Sequence, residues 1–202
     1  EIGHTFGLGH SKSLDCSEKA IWHSCAVSEY GNPFDIMGYP DGARVINFTA
    51  QEAVGWISPS NILKITSPGL YHIDNLQKEN GISGATIKIP GLDDPVFALE
   101  HRKAEGFDMP LSDSYLFGNI TTGLLVYSKE HFLNPYPRWK IIDPNPTTLS
   151  ISDDIKYDAI TSNFYDPYTG VSIDIQSVDS DGINFNVDFG SSIIAGCAPT
   201  YF

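Results

Sequence analysis

From Pro59 onward the chain changes texture, and its apolar residues fall at every second position. Val171, Ile173 and Ile175 alternate with Ser172, Asp174 and Gln176, and Ile183, Phe185, Val187 and Phe189 alternate with Asn184, Asn186 and Asp188. A period of two places successive side chains on opposite faces, which is the geometry of a strand and not of a helix. Asp179-Ser180-Asp181-Gly182 lies between the two runs, so they read as a hairpin. A hairpin turn also accounts for Asp179 and Asp181 better than a calcium site does. Further strands are predicted over 63–66, 70–75, 85–89, 96–102, 123–128 and 139–143, each bounded by Gly, Pro, Asn or Asp. A sandwich or small barrel-like sheet is the expected outcome. Pro135 to Pro146 reads as a Pro-rich loop, and no internal repeat or low-complexity tract interrupts the pattern.

The first sixty residues mix helical and loop signals. Thr49-Ala50-Gln51-Glu52 matches a capping box, with Thr49 at the N-cap and Glu52 at the third helical position. Ala50, Ala53, Val54 and Ile57 follow at helical spacing and Ser58-Pro59 stops the run, which predicts a short helix over 50–57. The expected fold class is α+β, divided into residues 1–60 and a β-rich unit over 61–202.

Composition removes several classes of function. The 202 residues are 41% hydrophobic, which suffices for a buried core and rules out global disorder. No apolar run approaches the ~18–20 residues that span a bilayer, so no membrane partner is expected. Twelve basic against 25 acidic residues give a net charge of −13, the wrong sign for a phosphate backbone, so nucleic acid is not an expected partner either. Three cysteines are too few for a disulfide scaffold, but Cys16 and Cys25, with eight residues between them, are able to close one loop. Two sequons, Asn47-Phe48-Thr49 and Asn119-Ile120-Thr121, match the N-glycosylation acceptor pattern.

Chemistry concentrates at the start. Glu1, His4, Gly7 and His10 stand three residues apart in succession. Zinc hydrolases use histidines four apart on a helix, because positions i and i+4 share a face from which both imidazoles reach one ion. A glutamate beside the first histidine faces the same ion and can take a proton from its water. Gly7 permits the positive φ that ends a helix, so the chain turns and His10 arrives from a different direction.

His4-Thr5-Phe6-Gly7-Leu8-Gly9-His10 resembles the end of the metzincin motif H-E-x-x-H-x-x-G-x-x-H, with Glu1 as the motif's glutamate. Its first histidine would precede residue 1, so the sequence is expected to be a fragment cut inside the motif. Tyr30-Gly31-Asn32-Pro33-Phe34-Asp35-Ile36-Met37-Gly38-Tyr39 resembles the Met-turn, whose methionine floors the zinc histidines. Its wording is most similar to the gametolysin (autolysin) family and its bacterial relatives. Immune-inhibitor-like secreted metallopeptidases are a near competitor. Ser11, directly after the third histidine, matches the matrix metalloproteinases, although their Met-turn follows sooner. Weaker similarity runs through Gln51-Glu52-Ala53-Val54-Gly55-Trp56, through Leu99-Glu100-His101-Arg102 with Gly106-Phe107-Asp108, through Gly123-Leu124-Leu125-Val126 and into the terminal hairpin.

The resemblance implies a secreted, Zn2+-dependent endopeptidase acting on protein or peptide substrates, cell-wall glycoproteins among them. Residues 1–60 would be the C-terminal part of a metzincin catalytic domain and 61–202 an accessory domain. His4 and His10 would be metal ligands, Glu1 the proton carrier and Met37 the Met-turn residue. Tyr39, two residues after Met37, either binds zinc or stabilises the oxyanion, or else packs beside the turn. Cys16 and Cys25 are expected to pair in an oxidising compartment. The different-class alternative is a non-catalytic wall- or glycan-binding module built on a decayed protease. His23, His72, His101 and His131 have no ligand-like spacing and read as structural or exposed.

Overall fold

The computed structural model describes residues 1–21, 25–38, 44–113, 119–129, 139–146 and 159–190. Tyr39, His23, His131 and Cys197 lie outside the described residues. The fold is mixed α+β and mostly sheet, with eleven strands among the described residues.

The alternating runs and the turn-bounded segments form the expected strands. They are β3 (Ile62–Ile65), β4 (Gly69–Asp74), β5 (Gly84–Ile87), β6 (Phe97–His101), β7 (Leu124–Lys129), β8 (Trp139–Ile142), β10 (Val171–Val178) and β11 (Gly182–Phe189). Three short strands carry no such pattern: β1 (Ser13–Asp15), β2 (Ala26–Ser28) and β9 (Asn163–Tyr165). One sheet has the order β2-β1-β8-β7-β6-β5-β3, with β1–β8 and β3–β5 parallel and the other pairs antiparallel. It draws strands from both sides of residue 60. The second sheet, β4-β11-β10-β9, is antiparallel throughout. The β10–β11 hairpin turns where expected, and the Asp179 carboxylate accepts from the N–H groups of Asp181 and Gly182.

The two sheets enclose one apolar core. Phe97, Leu99, Leu124 and Val126 meet Ile73, Ile173, Phe185 and Val187, and the Phe97 and Phe164 rings stand edge to face at 5.7 Å. The other face of the large sheet carries Ala98, Leu125, Tyr127 and Ile141 and is covered by Phe34 and Phe48. Strand β6 is therefore buried at every position, the pattern of a strand with layers on both sides.

The helix after the Met-turn-like segment differs from its expected limits. It is α2, Phe48–Ala53, and its N-cap is Asn47, whose side chain accepts from Ala50 N–H. Thr49, the expected cap, lies inside the helix and donates its hydroxyl to Asn47 Oδ1. Ser58-Pro59 is not the stop. Gly55, at φ +74°, ends the helix, with its N–H donating to Glu52 O and that of Trp56 to Gln51 O. That pair of bonds is the Schellman closure, which satisfies the last carbonyls by turning through a left-handed residue.

Candidate functional site

The first helix, α1, is a single turn over Ile2–Thr5 with Glu1 at its N-cap. Gly7 has φ +83°, its N–H donates to His4 O, and Leu8 N–H donates to Gly3 O. The turn expected at Gly7 is thus a second Schellman closure, and it reverses the chain so that His10 returns beside His4. The two ring centroids are 5.0 Å apart, at 72° to one another.

Each ring is held at its Nδ1. His4 Nδ1 lies 2.9 Å from Leu8 O, and His10 Nδ1 lies 3.0 Å from Glu29 Oε1. A carbonyl or carboxylate oxygen can only accept, so each Nδ1 carries the hydrogen, and in the neutral tautomer of that kind it is Nε2 that holds the lone pair a metal requires. Tyr30 covers one face of His10, with ring centroids 4.0 Å apart. Lys12 donates to the second oxygen of Glu29 at 2.5 Å and, with His10, holds that carboxyl below its ordinary value.

Met37 packs against the first helix at Gly3. A Cβ at Gly3 would fall 2.3 Å from Met37 Sδ, so the helix rests directly on the sulfur and a side chain is excluded there. The Met37 segment is fixed to the histidine segment by backbone bonds from Ser11 N to Met37 O and from Asn32 N to Ser11 O. Ser11 Oγ, buried, accepts from the side-chain amides of both Asn32 and Asn47. Asn47 also donates, through backbone and side chain, to Asp35 Oδ2, while Asp35 Oδ1 accepts from Met37 N. Burial pushes the Asp35 carboxyl up, against these donors. Asn47, half of a sequon, is wholly engaged in the interior; Asn119, in the other, is exposed.

A second layer of charge anchors the far end of the segment. Glu100 Oε2 accepts from Phe48 N, and its Oε1 accepts from Arg102 Nε and the Tyr127 hydroxyl. Arg102 also donates to Asp108 and to Val45 O, and Asp108 Oδ1 accepts from Val45 N. All four side chains are fully buried or nearly so. Burial drives the Glu100 carboxyl and the Tyr127 phenol up; for Arg102 burial lowers the pKa, but Glu100 and Asp108 outweigh it and the guanidinium stays charged. The E-x-R and G-F-D segments are in this way one device, clamping residues 45–48 to the sheet.

Between the His10 segment, Met37 and α2 lies a cleft of about 360 Å³, lined also by Lys129 and Trp139. Among the described residues no three His, Cys, Asp or Glu side chains converge on a point where they would hold a metal ion. His4 and His10 are brought together, Met37 packs against Gly3 of the same helix, and Glu1 is exposed one turn from His4. Cys16 and Cys25 form the expected disulfide, with an S–S distance of 2.04 Å. His72 bonds Asn184 and Asp74 on β4, and His101 is buried with Nδ1 on Gly123 O. Glu29 and the Ser11–Asn47–Asp35 web carried no expectation. A signal for Glu29 was present, because an antiparallel hairpin counted outward from Cys16–Cys25 pairs Ser13 with Ser28 and, continued, Lys12 with Glu29.

Compared with known proteins, the chain matches no family model, no curated protein and no solved structure.

Proposed function

We propose that this chain carries part of the zinc centre of a secreted metalloendopeptidase of gametolysin-like type, acting on protein substrates such as cell-wall glycoproteins. The observation that supports it most is the adjacent pair of imidazoles, each with Nδ1 bound to an oxygen and Nε2 left as the ligand atom. Outer bonds of this kind orient the rings of metal-ligating histidines. His4 and His10 supply two nitrogens, and under this reading a histidine preceding Glu1 supplies the third. Zinc, when bound, contributes Lewis acidity, making water a nucleophile near neutral pH and polarising the scissile carbonyl. The Glu1 carboxylate takes the water's proton and delivers it to the leaving amine, a transfer that needs it within hydrogen-bond reach of both. Met37 supports the helix from below. The Cys16–Cys25 bond suits an oxidising, extracellular compartment.

The test is zinc stoichiometry beside peptide hydrolysis. With only His4 and His10 as ligands the chain is expected to bind zinc weakly, and a histidine added ahead of Glu1 should tighten binding. His4→Ala and His10→Ala should each abolish uptake. Glu1→Ala, in the extended chain, should keep the metal and lose hydrolysis. Zinc uptake indifferent to both histidine substitutions would overturn the reading.

A further inference from the structure

Two histidines stand in the candidate centre, yet they are held by different means. His4 is fixed from within its own turn, by the carbonyl of Leu8 four residues on. His10 lies beyond the Schellman turn, outside any helix or strand. Its orientation comes instead from Glu29 Oε1 at Nδ1 and Tyr30 over the ring face, both from across the β1–β2 hairpin, with the His4 ring standing at 72° to it. Glu29 is itself held at its other oxygen by Lys12, two residues after His10.

We propose that Glu29 is a positioning residue for metal binding: braced by Lys12, it locks His10 in the Nδ1–H tautomer, and Tyr30 fixes the plane of the ring. This rests on His4 and His10 being metal ligands. The physical basis is that an exposed imidazole partitions between two tautomers and many χ2 angles, and only the form with a bare, correctly aimed Nε2 can ligate. A carboxylate on Nδ1 selects that form and makes Nε2 a stronger donor. The stacked phenol removes the remaining rotation of the ring. Neither group would touch the ion, so both act entirely through His10. Glu29 lies at the surface, its side chain about half exposed, so replacing it leaves the apolar core intact.

The proposal is tested without any turnover. Nitrogen-15 NMR of the histidine-labelled metal-free chain reads each ring's tautomer, and zinc titration reads affinity. Wild-type His10 should be in the Nδ1–H form. Glu29→Ala should shift it toward Nε2–H and weaken zinc about 10–100-fold, the usual effect of losing such an outer partner. His4 should keep its tautomer. Glu29→Gln, which retains an accepting oxygen without the charge, should restore the His10 tautomer and recover only part of the affinity. A Glu29→Ala chain with His10 unchanged and zinc affinity equal to wild type would overturn this inference and leave the zinc reading standing. A wild-type chain that binds no zinc, with or without the added histidine, would overturn both.

Discussion

The two faces of the seven-stranded sheet are built from the same strands and do opposite things. On β6, Phe97 and Leu99 face the second sheet, while Ala98 and Glu100 face the layer that carries His4, His10 and Met37. The first face is held by apolar contact, which is tolerant of detail as long as volume is conserved. The second is held by a buried set of charged and polar groups, in which Glu100, Arg102, Asp108 and Tyr127 bond one another and the backbone of Val45 and Phe48, while Arg102 Nη2 lies 3.0 Å from Glu100 Oε1 without a hydrogen bond of its own. Apolar packing supplies cohesion, but only directed bonds specify where a loop's backbone must stand. The layer holding the candidate site is placed by the directed face.

Removing Arg102 should break this contrast most sharply. Arg102→Met leaves two buried carboxyl groups without their cation, and breaking such a pair costs about 3–5 kcal/mol. Urea unfolding checks the loss. Amide exchange should also rise at Val45–Phe48, which Arg102 secures through Val45 O and Glu100. A stability loss without that local opening would deny the placing role. On the opposite face Leu99→Ala should cost about 2–5 kcal/mol through the cavity it leaves. Its effect should be global unfolding alone, with the His4 and His10 tautomers of the folded chain unchanged by NMR.

The smallest effect sharpens the electrostatic side. Burial raises the folded pKa of Glu100 above the ordinary carboxylate value of about 4.3. A group shifted in this direction contributes stability that is present in full below its unfolded pKa and is lost as pH rises through the folded one. Glu100→Gln removes that dependence, so the variant's stability deficit relative to wild type should narrow as pH rises across this window. A deficit that widens would mean that Arg102 outweighs burial. Asp74 behaves oppositely. Although burial alone would raise it, bonds from Lys78, Ile82 N and His72 hold its pKa down, so its contribution is lost on acidification.

Much of the sheet was legible because period two survives wherever a strand has one face different from the other. The β10–β11 hairpin follows from it, while β3 to β8, several of them buried on both faces, are legible from the Gly, Pro, Asn and Asp residues that bound them. The short strands β1, β2 and β9 did not, since three residues carry no period. The pairing of Ser13 with Ile141 and Leu14 with Ile142 joins segments far apart in sequence. The helix cap was misassigned because Thr49 and Glu52 fit a local rule, while Asn47 is selected by tertiary partners, Ser11 and Asp35. Likewise Gly7 could be read as a helix end because a positive φ is a local property. The bond from His10 to Glu29 crosses a hairpin whose three-residue strands carry no period, so the Cys16–Cys25 spacing is the signal that points to it.

The disulfide has a consequence that reaches beyond the loop it closes. Cys16 follows β1 and Cys25 precedes β2, so the bond ties the closed end of the hairpin whose open end brings Lys12 and His10 against Glu29 and Tyr30. Reduction would return to the two strands the freedom that the crosslink withholds, and the open end would spend less time in register. Thermodynamic linkage makes this exchange reciprocal. Whatever order the crosslink lends to the open end, any occupant that binds there would return as resistance of the crosslink to thiols, so under the proposed zinc reading the redox poise of the surroundings and occupancy of the histidines would form a single coupled equilibrium.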